Sequence, residues 1–107
     1  MRYEVEDQNG RQFPAGTWSI DFLCTNKANG DFVVIELKRG KSSDSTVGQI
    51  LRYIGWVEEN IAKSHQKVRG IIITREADNV LRYAVKGLPN VDVLTYQVDF
   101  KLSTFRK

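Results

Sequence analysis

Thr17-Trp18-Ser19-Ile20-Asp21-Phe22-Leu23-Cys24-Thr25 and Phe32-Val33-Val34-Ile35-Glu36-Leu37-Lys38 flank Asn26-Lys27-Ala28-Asn29-Gly30-Asp31, and the reading of these three segments decides the fold. The first run alternates, with Trp18, Ile20, Phe22 and Cys24 on one side and Ser19, Asp21, Leu23 and Thr25 on the other, as a strand requires. The second is β-branched and apolar, like a central strand. Asn29-Gly30 between them is a hairpin signal, because both residues tolerate positive φ. With Asn29 and Gly30 as the two central turn residues, counting outward sets Leu23 opposite Glu36 and Asp21 opposite Lys38. All four side chains then share one face.

Downstream of Gly40-Lys41 the period changes. Val47, Ile50, Leu51, Ile54, Val57 and Ile61 recur at the spacing of one helix face, which predicts a helix from about Ser45 to Ala62 capped by Asp44 or Ser45. Gly48 and Gly55 within it are read as points where the helix comes close to the sheet. Val68-Arg69-Gly70-Ile71-Ile72-Ile73-Thr74 reads as a strand covered on both faces. Asp78 or Asn79 caps a short helix that ends at Gly87, and Val91 to Val98 reads as the last strand. Upstream, Tyr3-Glu4-Val5-Glu6 and Arg11-Gln12-Phe13 flank a turn at Asp7-Gln8-Asn9-Gly10. The order β-β-α-β-α-β predicts an α/β fold, a mixed β-sheet flanked by helices, in a single domain over residues 1–107.

Asp21, Glu36 and Lys38 stand out as charges at strand positions that otherwise take apolar side chains. Brought together across a hairpin, two carboxylates can approach one divalent ion. Hard oxygen ligands without histidine or thiolate suit Mg²⁺ or Mn²⁺, ions that bind through one or two carboxylates and keep room for substrate phosphate. Beside them a lysine can stabilise or help form hydroxide, which is the equipment of a phosphodiesterase. The competing reading is a row of solvated charges forming a surface ion pair worth about 0–1 kcal/mol.

Asp21, then Glu36-Leu37-Lys38, then Gln49 with Tyr53 one turn later on the predicted helix, resembles the D…ExK…QxxxY pattern of the PD-(D/E)XK nucleases. The nuclease domain of the NucS-type endonucleases is the most similar branch. The phrases Val33-Val34-Ile35-Glu36-Leu37-Lys38-Arg39-Gly40 and Val47-Gly48-Gln49-Ile50-Leu51-Arg52-Tyr53 carry the likeness, which runs from about Arg11 to Val98. The resemblance implies a restriction-endonuclease-like core and a DNA endonuclease dependent on Mg²⁺ or Mn²⁺. It implies that Asp21 and Glu36 bind the metal, with the Leu37 carbonyl, that Lys38 positions or activates water, and that Gln49 faces the same cluster. Arg39, Lys41, Arg52 and Tyr53 become the residues for DNA contact, with packing the other role for Tyr53. The family often supplies a further acid from a helix before the first strand. Here the residues before Pro14 look like a strand pair, so either Glu4 or Glu6 takes that place or the chain is a fragment lacking the helix.

Composition narrows the alternatives. The 107 residues are 41% apolar and 27% charged, the balance of one ordinary domain. Cys24 is the only cysteine and His65 the only histidine, so disulfide frameworks, Cys/His zinc sets and Cys-His or Ser-His-Asp hydrolases lose their residues, and a reducing, cytoplasmic setting fits. No apolar run approaches the ~20 residues of a membrane span. A net charge of +3 permits a polyanionic partner without demanding one; the resemblance makes DNA that partner and leaves a homodimer allowed. Lys27, Arg106 and Lys107 are read as serving solubility, while Trp18 and Trp56 are read as core packing. Two rivals to the nuclease remain: a nuclease-fold module that binds DNA or a protein without cutting, and a plain α/β interaction domain.

Overall fold

The computed structural model describes residues 5–6 and 11–105. Tyr3, Glu4, the turn at residues 7–10, Arg106 and Lys107 lie outside the described residues, as does the side chain of Glu6. Eight elements follow in order: β1 (Val5–Glu6), β2 (Arg11–Ala15), β3 (Trp18–Asn26), β4 (Phe32–Ser42), α1 (Asp44–Asn60), β5 (Val68–Ala77), α2 (Asn79–Lys86) and β6 (Val91–Thr95). They build a mixed sheet in the order β1-β3-β4-β5-β6, with β2 also pairing β3. The pairs of β3 with β4, β1 and β2 are antiparallel, while β4–β5 and β5–β6 are parallel, each reached through a helix.

The hairpin forms, but its register is not the expected one. Phe22 pairs with Ile35, Leu23 with Val34 and Cys24 with Val33. The loop holds four residues rather than two: the Asn26 N–H donates to the Asp31 carbonyl at 2.7 Å and the Gly30 N–H to the Asn26 carbonyl at 2.7 Å. Only Gly30 takes a positive φ, of 78°. Asn29 instead accepts the Asp31 N–H on its side chain at 2.9 Å, and Asn26 accepts the Ala28 N–H at 2.8 Å, so side-chain acceptors organise the turn. The pairing slips by two residues, and continuing it by one step sets Asp21, not Lys38, across from Glu36. Because the slip is even, the side chains keep their face.

Both helices pack on one face of the sheet. Val47, Ile50, Tyr53, Ile54 and Val57 of α1 and Leu81 of α2 form a single cluster with Ile20, Leu23, Val34, Ile72 and Val91. The approach of α1 is set by the strand beneath it: a Cβ at Gly70 would lie 2.8 Å from Ile54 Cδ1 and 2.9 Å from Ile50 Cδ1. Gly48 and Gly55, expected to permit that closeness, have open space where a side chain would stand. On the other face Cys24, Val33 and Ile71 are buried among Phe22, Ile35 and Ile73, a cluster made only of strand side chains. Ile71 on this face is 3% exposed and Ile72 on the helix-covered face 0%, so β5 is buried on both faces, as its unbroken isoleucines led one to expect. Asp78 caps α2 by accepting the Leu81 N–H at 2.7 Å. At α1 the cap is Ser43, with no side-chain capping bond, and Asp44 is already helical.

Candidate active site

Strand β4 carries Glu36 and Lys38 on the helix-covered face, β3 brings Asp21 alongside, and α1 lays Gln49 over them. Glu36 is buried, with 4% of its surface exposed. One of its oxygens, Oε1, meets Lys38 Nζ at 3.2 Å, while Oε2 is buried and has no hydrogen-bond partner among the described residues. Burial pushes the Glu36 carboxyl above its ordinary pKa, the charge on Asp21 pushes it further, and Lys38 opposes both. The Lys38 ammonium also donates to Gln49 Oε1 at 3.1 Å, and Gln49 Nε2 donates to the Tyr53 hydroxyl at 3.0 Å. A continuous chain thus runs from Glu36 through Lys38 and Gln49 to Tyr53.

Asp21 is held differently. Its Oδ2 accepts the Leu37 N–H at 3.0 Å. Counting outward by twos from the Asn26–Asp31 pair, that N–H would reach the Ile20 carbonyl in a regular antiparallel ladder, so the carboxylate takes a backbone acceptor's place. The alternation of β3 is interrupted at this point, since Ile20 joins the same cluster as Leu23 while Phe22 and Cys24 lie in the other. Across from Asp21 on β2, Gln12 adopts a left-handed φ of 49°.

Two hard carboxylates, one with an orphaned buried oxygen, are a donor set that suits Mg²⁺ or Mn²⁺. Leu37 exposes 38% of its surface, and its N–H is already given to Asp21. Among the described residues no three of His, Cys, Asp and Glu come together, so the pair Asp21 and Glu36 has no third acid there.

The expected contact residues divide. Arg39 and Lys41 are exposed on the outer stretch of β4, where the pairing with β5 shifts between Lys38 and Lys41. Lys41 lines an open cleft of about 710 Å³ with Arg75, Arg82, Asp78 and Thr95, and its two arginines carried no signal in the sequence beyond their charge. Arg52 is exposed, with its guanidinium carbon 5.1 Å from the centre of the Trp18 ring. Trp18 is 41% exposed, which corrects its expected core position, whereas Trp56 packs at the core edge against Phe13. Tyr53 is corrected as a surface contact: it is buried at 4% exposure and serves packing while anchoring Gln49.

The family model for the endonuclease NucS C-terminal domain matches residues 8–93. Among solved structures, a repair endonuclease from Pyrococcus abyssi superposes with a TM-score of 0.71 at 22% identity, over 91% of this chain and 39% of that one. EndoMS in complex with double-stranded DNA gives 0.71 at 20% identity, over 92% and 38%. EndoMS in its apo form gives 0.59 at 21% identity, over 72% and 34%. This chain therefore spans less than half the length of each, and at these identities the likeness establishes the fold.

Proposed function

The chain belongs to the family of the endonuclease NucS C-terminal domain, and from that membership we propose that it is a DNA endonuclease domain that hydrolyses phosphodiester bonds with Mg²⁺ or Mn²⁺. The observation that carries the reading is the Glu36 carboxylate, buried with Oε2 unpartnered among the described residues while Oε1 holds Lys38. Keeping a charged oxygen dry and unpaired costs stability, and a cation offsets that cost. Asp21, Glu36 and the Leu37 carbonyl are the groups that would hold the ion. When bound, it supplies charge neutralisation at the scissile phosphate and a more acidic water.

The chain's own residues do the rest. Lys38 places a positive charge where negative charge develops on the attacking oxygen, and Gln49 fixes the direction of its ammonium. Tyr53 fixes Gln49 in turn. Arg39, Lys41 and Arg52 offer exposed cations for the DNA backbone, a contact blind to sequence. That a solved structure of similar fold is described as holding double-stranded DNA supports this choice of polymer.

A second reading, a module that binds DNA without cutting it, draws on the absence of a third acid among the described residues. One experiment separates the two: incubation with single-stranded, branched and mismatched DNA in Mg²⁺ or Mn²⁺, for the wild type and Lys38→Ala. Cleavage by the wild type alone supports the nuclease. Binding of DNA without cleavage by either protein hands the case to the module, and equal cleavage by both removes Lys38 from the mechanism.

A further inference from the structure

Strand β4 carries one residue too many beside β5. Lys38 pairs with Thr74 and Lys41 with Glu76, so three steps along β4 match two along β5. The insertion is a bulge, a feature that re-aims a side chain. In an unbroken strand Lys41 would face away from Lys38, because residues an odd number apart take opposite faces. The extra residue reverses that. Lys41 lines its cleft with Asn79 and Arg82 of α2 and Val93 of β6, and Val93 packs on the helix-covered cluster that holds Ile72, the partner of Glu36. Lys41 therefore lies on the face that carries Glu36 and Lys38.

Two hydroxyls hold the bulge from outside β4. Thr74, with none of its surface exposed, sets Oγ1 2.9 Å from both the Gly40 and the Glu76 carbonyls, with one proton to share between them. Tyr96, just beyond β6, donates its hydroxyl to the Arg39 carbonyl at 3.1 Å and its N–H to the Thr74 carbonyl at 3.2 Å. The cleft this builds is lined by three cations, Lys41, Arg75 and Arg82, against the carboxylates of Glu76 and Asp78. Asp78 is committed to the Leu81 N–H. Arg82 gives Nη1 to Asn79 at 3.2 Å, and a guanidinium has further donors for an oxyanion beside the Lys41 ammonium. Three residues of strand, about 10 Å, separate Lys41 from Lys38, so an anion held here is not the scissile phosphate.

We propose that Thr74 and Tyr96 are positioning residues: by holding the bulge they keep Lys41 in the cleft, where it and Arg82 take one phosphate of the DNA backbone away from the scissile bond. DNA as the source of that phosphate rests on the reading of the domain as a DNA endonuclease. The positioning of Lys41 does not.

Two titrations of the 107-residue chain test this. Inorganic phosphate, followed by ¹H–¹⁵N NMR, should shift the amides of Lys41 and Arg82 saturably. Thr74→Val and Tyr96→Phe, each removing one hydroxyl, should weaken that binding by about five-fold, the scale of one hydrogen bond. With double-stranded DNA, Lys41→Ala and Arg82→Ala should each lower the slope of log affinity against log salt by about one. The double variant should lower it no further, since both cations serve one phosphate, and Thr74→Val and Tyr96→Phe should move the slope toward the same value. If Thr74→Val does not fold, Tyr96→Phe answers alone, its ring retained. Variants that melt lower yet keep the wild-type slope and phosphate affinity have lost only structure, and overturn the proposal. So does a wild type whose Lys41 and Arg82 amides do not respond to phosphate. Phosphate bound with these dependences by a domain that never binds DNA supports the positioning and overturns DNA as the source, while DNA bound in the cleft but never cut counts against the nuclease alone.

Discussion

Gln49 holds the ammonium of Lys38 at 3.1 Å from the second turn of α1, so a helix residue sets the direction of a strand residue's charge. That ammonium touches Glu36 on its other side, at 3.2 Å. Loss of Lys38 should therefore reduce cleavage by more than ~100-fold while DNA affinity stays near wild type, as for removal of one transition-state stabiliser. Gln49→Leu leaves the charge and frees its direction, and should cost a smaller factor of about ten. Single-turnover cleavage and separate binding titrations check both.

The raised pKa of Glu36 gives stability a sign with respect to pH. Below the ordinary value of 4.5 the carboxyl is protonated both folded and unfolded, and carries no penalty. As pH rises from there, the unfolded chain releases its proton while the folded chain keeps it, so folding loses free energy until the folded group ionises too. Glu36→Gln should melt higher than the wild type at neutral pH, with the difference vanishing as pH falls to about 4. Thermal melts across that range decide it.

Mg²⁺ or Mn²⁺ should raise the melting temperature of the wild type by mass action. The rise should be absent in Glu36→Gln and shrink in acid, where protons compete for the same carboxylate. A wild type whose melting point ignores millimolar Mn²⁺ would remove the metal from the proposed mechanism.

Arg39→Ala and Lys41→Ala act on a different step. Both should weaken DNA binding and lower the slope of log affinity against log salt by about one for each phosphate no longer neutralised, leaving the cleavage rate of bound DNA unchanged. Titrations at several salt concentrations supply the slope.

Gly70→Ala tests how α1 rests on the sheet. The added methyl group meets Ile54 and Ile50 below 3.0 Å. It should destabilise the fold by about 1–3 kcal/mol, while Gly48→Ala, with open space around it, should be neutral or stabilising. Denaturant midpoints compare them.

Much of this was legible in the sequence because it depends on period alone. The change from alternation to helical spacing after Gly40 located β4 and α1, and Glu36 and Lys38, two residues apart on β4, share a face whatever the register of the hairpin. What depends on local hydrogen bonding was hidden. The loop length turned on Asn26 and Asn29 accepting backbone N–H groups, which the dipeptide Asn29-Gly30 does not disclose. Trp18 was misplaced because alternation gives a face and not a depth: it opens β3 two residues before the buried Ile20, and stands 41% exposed beside Arg52. Tyr53 lies on the same helical stripe as Ile50 and Val57, so its burial was available from spacing, and the motif that contains it drew attention to the surface instead.

Because Asp21 accepts the Leu37 N–H where the ladder would use the Ile20 carbonyl, one acid has a structural duty beside the chemical one proposed for it, and the two demand different things of it. The sheet needs only an oxygen acceptor there, whereas a cation needs the negative charge. Asparagine supplies the first without the second. A chain of this fold can therefore fall silent through Asp21→Asn with its architecture intact, leaving a folded surface free to take up binding duties that never required the bond to be cut.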